Sequence, residues 1–307
     1  MSYFSTYRAN GKLLLTGEYL VLQGAKAIAL PLKVGQQMVV SEVDKQQTIF
    51  WQAKFQDEIW FKCILNPVDL RVLETSDLEK SDVLRQLFKT IETLDRRFAL
   101  QQGLKFETML ESNPEWGFGS SSTLVSLLSQ WCGVDPFRLN ELVFSGSGFD
   151  IACATANGPI MYVRNKLTEP VDLDYLFADQ LFLVYSGRKK GTALEVRSFL
   201  NNKVVSEQKI AEMNVLSEKF ASCSSDQSEF NRLIQDHEKM IGQLIRKNPV
   251  KDEFFPNFEG EIKSLGAWGG DFYLVSTQLP FWEVKKYFEN KGLTTVFRWD
   301  DLILKRR

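Results

Sequence analysis

Residues 114–122, Pro114-Glu115-Trp116-Gly117-Phe118-Gly119-Ser120-Ser121-Ser122, run straight into the apolar Leu124-Val125-Ser126-Leu127-Leu128. This junction constrains the fold more than any other stretch of the chain. Two glycines and three serines can wrap backbone N–H groups around an anion and then open a helix, whose free amides and dipole favour negative charge. A phosphate cradle is one reading. The other is an ordinary loop with Ser120 as a helix N-cap, since serine is a preferred cap. The flanking segments bear on the choice. Alternation over 104–110 predicts a strand that delivers the chain into the loop, and 120–131 reads as the helix that leaves it. Strand, glycine loop and helix are the context an anion site needs.

The 307 residues are 44% hydrophobic, enough to bury a sizeable core in one large or two ordinary domains. Lysine plus arginine (37) nearly balances aspartate plus glutamate (39), so no global basic field draws nucleic acid or an anionic membrane. Residues 1–10 lack a signal-type apolar run, and no apolar stretch is long enough to span a bilayer. The expectation is a soluble, cytoplasmic protein that binds neither membrane nor nucleic acid, as a monomer or homodimer. Cys63, Cys132, Cys153 and Cys223 are scattered and His237 is the only histidine, a spacing that offers neither a zinc site nor a disulfide framework. Any histidine-based hydrolysis would have to use His237, which sits in a predicted helix with a polar face.

The chain opens β-rich, with strands predicted around Leu13-Leu14-Leu15, 27–43, 48–51 and 58–64. Apolar Val83, Leu84, Leu87, Phe88, Ile91 and Leu94 recur at helical spacing, predicting a helix over 81–100 with Ser81 as cap and Gly103 as stop. A short helix is predicted at 136–144 and a strand at 159–163. The polar stretch 165–174 is taken as the boundary between domains 1–172 and 173–307. Beyond it come a strand at 181–185, helices near 192–200, 204–223 and 229–246, a strand at 272–276, a helix at 280–290 and a strand at 294–299. This interleaving suggests an α+β second domain.

No segment matches the Walker phosphate loop, and no G-x-G-x-x-G follows a strand. Four other clusters occur in order: Asn10-Gly11-Lys12-Leu13-Leu14-Leu15-Thr16-Gly17-Glu18-Tyr19, the glycine–serine loop, Ser147-Gly148-Phe149-Asp150, and Gly266-Ala267-Trp268-Gly269-Gly270-Asp271. Together they resemble the motifs of the GHMP family of small-molecule kinases, and the likeness spans almost the whole chain. The first is similar to P-G-K-x-x-x-x-G-E with Asn10 for proline. The second is similar to P-x-x-x-G-L-G-S-S-A with Phe118 for leucine and Ser122 for alanine. The third resembles the S-G-x-D of the mevalonate and phosphomevalonate kinase branch, and the fourth G-A-G-G-G-D, with Trp268 replacing a glycine near the reacting phosphate. Gly-Glu-Tyr at 17–19 and Tyr185-Ser186-Gly187 resemble the phosphomevalonate kinases most.

The resemblance implies a two-domain α+β fold, with an N-terminal domain like ribosomal protein S5 domain 2 and a ferredoxin-like C-terminal domain. It also implies an ATP- and Mg²⁺-dependent transfer of phosphate to mevalonate or phosphomevalonate. Phosphoryl transfer is mostly positioning and electrostatic stabilisation. The resemblance assigns the nucleotide phosphates to Gly117, Phe118, Gly119, Ser120, Ser121 and Ser122, and the metal to Ser121, with Glu141 as a second, less regular metal candidate. It makes Asp150 the base and Lys12 its cationic partner, and Tyr19, Ser147, Lys189, Thr192, Gly269 and Gly270 substrate contacts. The cations that could face an anionic acceptor are Lys12, Arg188, Lys189, Lys190 and Lys263. A sugar or sugar-phosphate kinase of the same fold, or a non-catalytic ligand sensor, is the alternative, because fold does not select the acceptor.

Overall fold

The structure, a computed structural model, describes residues 4–42, 48–96, 103–187, 205–266, 268 and 270–306. The chain divides into two compact units that interleave in sequence. The first comprises Met1–Gly11, Val34–Pro114 and Phe118–Thr155, and the second Lys12–Lys33, Glu115–Gly117 and Ala156–Arg307.

In the first unit, strand β2 (Ala27–Glu42) pairs along its second half with β6 (Leu104–Leu110), antiparallel from Gln36↔Leu110 to Glu42↔Leu104. On its other side β6 runs parallel to β3 (Ile49–Phe55), which continues antiparallel through β4 (Glu58–Leu65) to β5 (Val72–Thr75). Alternate residues of β3 and β6 are buried, the period-2 pattern of strands with one face on a core. That face meets α1 (Leu78–Leu94), α2 (Ser120–Cys132), α3 (Pro136–Val143) and α4 (Phe149–Thr155) in one apolar cluster. Trp51 stacks on Phe106 at 5.2 Å, and Trp131 meets Phe106 edge-on at 4.9 Å. Strand β1 (Phe4–Leu14) passes so close to β2 that a Cβ on Gly35 would lie 2.0 Å from the Ala9 carbonyl oxygen. Only glycine fits there.

Helix α1 starts at Leu78 rather than the predicted 81, because the Asp77 side chain, not Ser81, accepts the Lys80 N–H. The carboxylate reaches the first-turn amides from the extended residue before them. Ser81 instead lies buried inside the first turn, with its hydroxyl on the Asp77 carbonyl. The helix ends at Leu94, short of the predicted 100.

In the second unit the start of β2 pairs with β7 (Ile160–Val163), which turns back into β8 (Leu167–Pro170). The polar stretch 165–174 thus contains a strand that composition hid, since Thr168, Glu169 and Pro170 are exposed. A four-stranded antiparallel sheet follows, ordered β10 (Glu261–Leu265), β11 (Phe272–Ser276), β9 (Leu181–Tyr185), β12 (Val296–Arg298). Residues such as Phe182, Val275 and Ile262 from this sheet share a core with Met213 of α5 (Glu207–Ser222), Ile241 of α6 (Gln227–Ile245) and Phe288 of α8 (Phe281–Glu289). Ser206 and Asp226 cap α5 and α6 through side-chain acceptors. Short helices α7 (Val250–Phe254) and α9 (Trp299–Leu302) complete the unit. The predicted helix 192–200 lies outside the described residues.

Candidate phosphate-binding and catalytic site

The first unit supplies the opening of α2. Gly119 is the N-cap, left-handed at φ 89°, and makes no side-chain cap bond. Ser120 is therefore the first helical residue, and the ordinary-cap reading of this serine is overturned. A glycine cap leaves the first-turn amides without a side-chain acceptor, an arrangement that suits an incoming anion. The serines divide in role. Ser122 is buried and its hydroxyl donates to the Gly119 carbonyl at 2.8 Å, while Thr123 lies 2.7 Å from the buried Gln36 side-chain oxygen. These two inward contacts fix the first turn, whereas Ser120 is half-buried and Ser121 exposed. Phe118, where the resembled motif has leucine, is buried.

Asp150 lies half-buried in the first turn of α4, after Gly146 at φ 113° and Gly148 at φ 87°. A carboxylate there is favoured by the helix dipole. Ser147 is buried beside it in sequence. Glu141, by contrast, is an exposed residue of α3 that pairs with Arg138 one turn earlier, an ordinary surface ion pair of small net worth. Among the described residues, no three His, Cys, Asp or Glu side chains cluster in a way that could hold a metal.

The second unit holds residues 115–117. The Lys12 ammonium donates to the Gly117 carbonyl at 3.0 Å. Gly117 has φ 69°, and a Cβ there would lie 1.8 Å from Oδ2 of Asp271, so its glycine serves both the turn and the close carboxylate. The Tyr185 hydroxyl donates to the Glu115 carbonyl at 3.2 Å, and Trp116 meets Phe297 edge-on. Burial, then the neighbouring Glu115 and Asp271 charges, push the Tyr185 hydroxyl above its ordinary pKa, so it remains a donor. The Asp271 carbonyl accepts the Ser186 N–H at 2.9 Å. Lys12, Gly117 and Asp271 are thereby brought together.

Sequence reasoning missed a buried ionic cluster in this unit. Glu18 of the first motif pairs with the ammonium of Lys263 on β10, and Nε2 of His237 on α6 lies 2.9 Å from its other oxygen. All three are at most 4% exposed in their side chains. Lys263 is thus committed to Glu18 and is not a cation presented to an acceptor. Desolvation raises the Glu18 carboxyl, but the Lys263 charge, the His237 ring and their hydrogen bonds together hold it below its ordinary pKa. His237 is pushed down by burial and by Lys263, against the pull of Glu18, which disfavours its charged form, and its Nε2 also lies 3.4 Å from the Gly17 N–H. Its neighbour Glu238 accepts the Val250 and Ser264 N–H groups, yet burial pushes it up to about 7. The signal that could have found this cluster is a lone histidine and a Glu on one apolar helix stripe.

The Tyr19 hydroxyl, expected to meet substrate, accepts the Trp268 backbone N–H at 2.9 Å, and both side chains are buried. The Trp268 ring joins the core of this unit. Gly270 is buried, while Lys189, Thr192 and Gly269 lie outside the described residues, as do Arg188 and Lys190. No helix among the described residues is long and apolar enough to cross a membrane.

The architecture is that of the GHMP small-molecule kinases, a two-domain α+β fold. Mevalonate kinase from Methanococcus jannaschii superposes with a TM-score of 0.70 at 16% identity, over 99% of either chain. Phosphomevalonate kinase from Streptococcus pneumoniae, solved with phosphomevalonate and AMPPNP, gives 0.68 at 16% identity over 96% of this chain and 99% of that one. Galactokinase from Lactococcus lactis, complexed with galactose, gives 0.64 at 13% identity over 99% and 94%. No protein-family model and no curated protein sequence matches the chain.

Proposed function

We propose that the protein is an ATP-dependent small-molecule kinase whose acceptor is mevalonate or phosphomevalonate, acting in isoprenoid precursor synthesis. The observation that carries this reading is the opening of α2: a left-handed glycine cap with no side-chain acceptor, on a fold shared with a kinase solved with AMPPNP. In this reading the first-turn amides of α2 bind the nucleotide phosphates, and the glycine cap lets the backbone approach them. Ser122 and Thr123 hold that turn from behind. Ser121, exposed on the same turn, is the hydroxyl that fits a hard, oxygen-seeking cation. Bound Mg²⁺ would neutralise charge on the phosphates. Glu141 is committed to Arg138 and is the weaker metal ligand.

Asp150, in the first turn of α4, accepts or orients the acceptor's proton. Lys12, fixed by the Gly117 carbonyl, supplies positive charge to the transferring phosphoryl group. In this reading Ser147 borders the acceptor, while Tyr19, buried with its hydroxyl on the Trp268 N–H, supports the loop rather than meeting the acceptor. The galactokinase neighbour keeps a sugar or sugar-phosphate kinase as a second reading.

The test is ADP release by the purified protein with ATP, Mg²⁺ and, in turn, mevalonate, phosphomevalonate, galactose and homoserine. Turnover with one of the first two supports the proposal. Turnover with galactose alone selects the second reading, and tight ATP binding with no turnover on any acceptor points to a sensor.

A further inference from the structure

Tyr19 occupies an unusual backbone conformation, φ 63° and ψ −45°. The Leu20 N–H closes on the Glu18 carbonyl at 2.7 Å, so Tyr19 is the centre of a γ-turn of the rare, strained form. Positive φ in a bulky aromatic residue is a true outlier, retained only where the surroundings over-determine it. Two contacts do so. Glu18, one residue before, is locked by Lys263 and His237, and Lys263 lies on β10, the strand that leads into the 266–271 segment. The Tyr19 hydroxyl takes the backbone N–H of Trp268 within that segment. The Trp268 ring turns inward, and its far edge reaches α6 where Gly242 has no side chain: a Cβ there would lie 3.8 Å from Cη2.

Three residues beyond Trp268 stands Asp271, whose carboxylate lies against Gly117. The Gly117 carbonyl in turn receives the Lys12 ammonium. We infer that Tyr19 and Trp268 are positioning residues: the strained turn and the inserted ring anchor Trp268, and with it the placing of Asp271 against Gly117, whose carbonyl fixes the Lys12 ammonium. The tryptophan that breaks the glycine motif is then an anchor rather than a ring filling the phosphate loop. This role rests on the kinase reading, because it matters only if Lys12 meets the terminal phosphate of a nucleotide.

The test is calorimetric binding of ADP and of AMPPNP, each with Mg²⁺, to the wild type, Tyr19→Phe, Trp268→Phe and Trp268→Leu. Tyr19→Phe removes the hydroxyl that accepts the Trp268 N–H, a cost that falls on the loop. The expected result is about a tenfold loss of AMPPNP affinity, the loss corresponding to one buried hydrogen bond, with ADP affinity within about twofold. Trp268→Leu should reproduce that selective loss, and Trp268→Phe, which keeps a ring, should recover most of it. Equal losses for both nucleotides, or none, would assign the pair a purely structural role and overturn the inference. If Tyr19→Phe does not fold, the same affinity ratio measured on Trp268→Leu separates the two outcomes. A wild type that binds neither nucleotide overturns the kinase reading itself, an outcome distinct from a wild type that binds both while the variants keep its ratio.

Discussion

Single side chains decide the chemistry proposed for this chain, and the sharpest test concerns Asp150. Asp150→Asn keeps the shape and removes the base, so kcat with the active acceptor should fall by about 10²- to 10⁴-fold while ATP affinity stays nearly constant. An unchanged rate would remove Asp150 from the reaction. Gly119→Ala tests the cap: holding alanine at φ 89° costs about 1–2 kcal/mol. The variant should melt lower and bind AMPPNP more weakly, and unaltered affinity would separate the cap from the phosphates. The turn itself was legible as sequence, because Gly117 and Gly119 both take positive φ, a backbone demand that favours glycine. The same reading could not place Lys263 or His237. Lys263 was read as a cation for an anionic acceptor and His237 as a residue of a helix with a polar face, and only the three-dimensional path of Glu18 joins them.

At the scale of elements, the Glu18 cluster ties the first-motif turn to β10 and α6. Lys263→Met leaves Glu18 buried without its main partner and should cost about 3–5 kcal/mol in urea unfolding. The double variant Glu18→Gln, Lys263→Met should recover a large part of that loss, and simple additivity would show that the pair is uncoupled. Linkage gives a further expectation. His237, pushed below 6.5, contributes stability that is lost as pH falls below that value. Glu238, pushed up to about 7, contributes in the opposite sense: its share is present below 4.5 and lost as pH rises through about 7. The two slopes oppose each other between about pH 4.5 and 6.5. Glu238→Gln removes one of them, so its urea midpoint should drop more steeply than the wild type's between pH 7 and pH 5. Parallel curves would contradict the assignment. The long helices, α1, α5 and α6, were legible from apolar spacing, as was β6 from alternation. Strands β5 and β8 were not, because their side chains are largely exposed and their reason for existing is a neighbour's unpaired backbone.

At the scale of the molecule, the α+β architecture was legible from the order of four glycine motifs, none of which is specific alone. The interleaving of the two compact units was not visible to a linear pass, because β1 and β2 each contribute residues to both. Fold likewise leaves the acceptor open, with mevalonate, phosphomevalonate and galactose kinases all sharing it. The central claim is phosphoryl transfer from ATP to an acceptor of the mevalonate branch. It is tested most directly by following ADP release with ATP, Mg²⁺ and each acceptor in turn. The account predicts turnover with mevalonate or phosphomevalonate that collapses in Asp150→Asn; turnover confined to galactose or homoserine, or none with any acceptor, would contradict it.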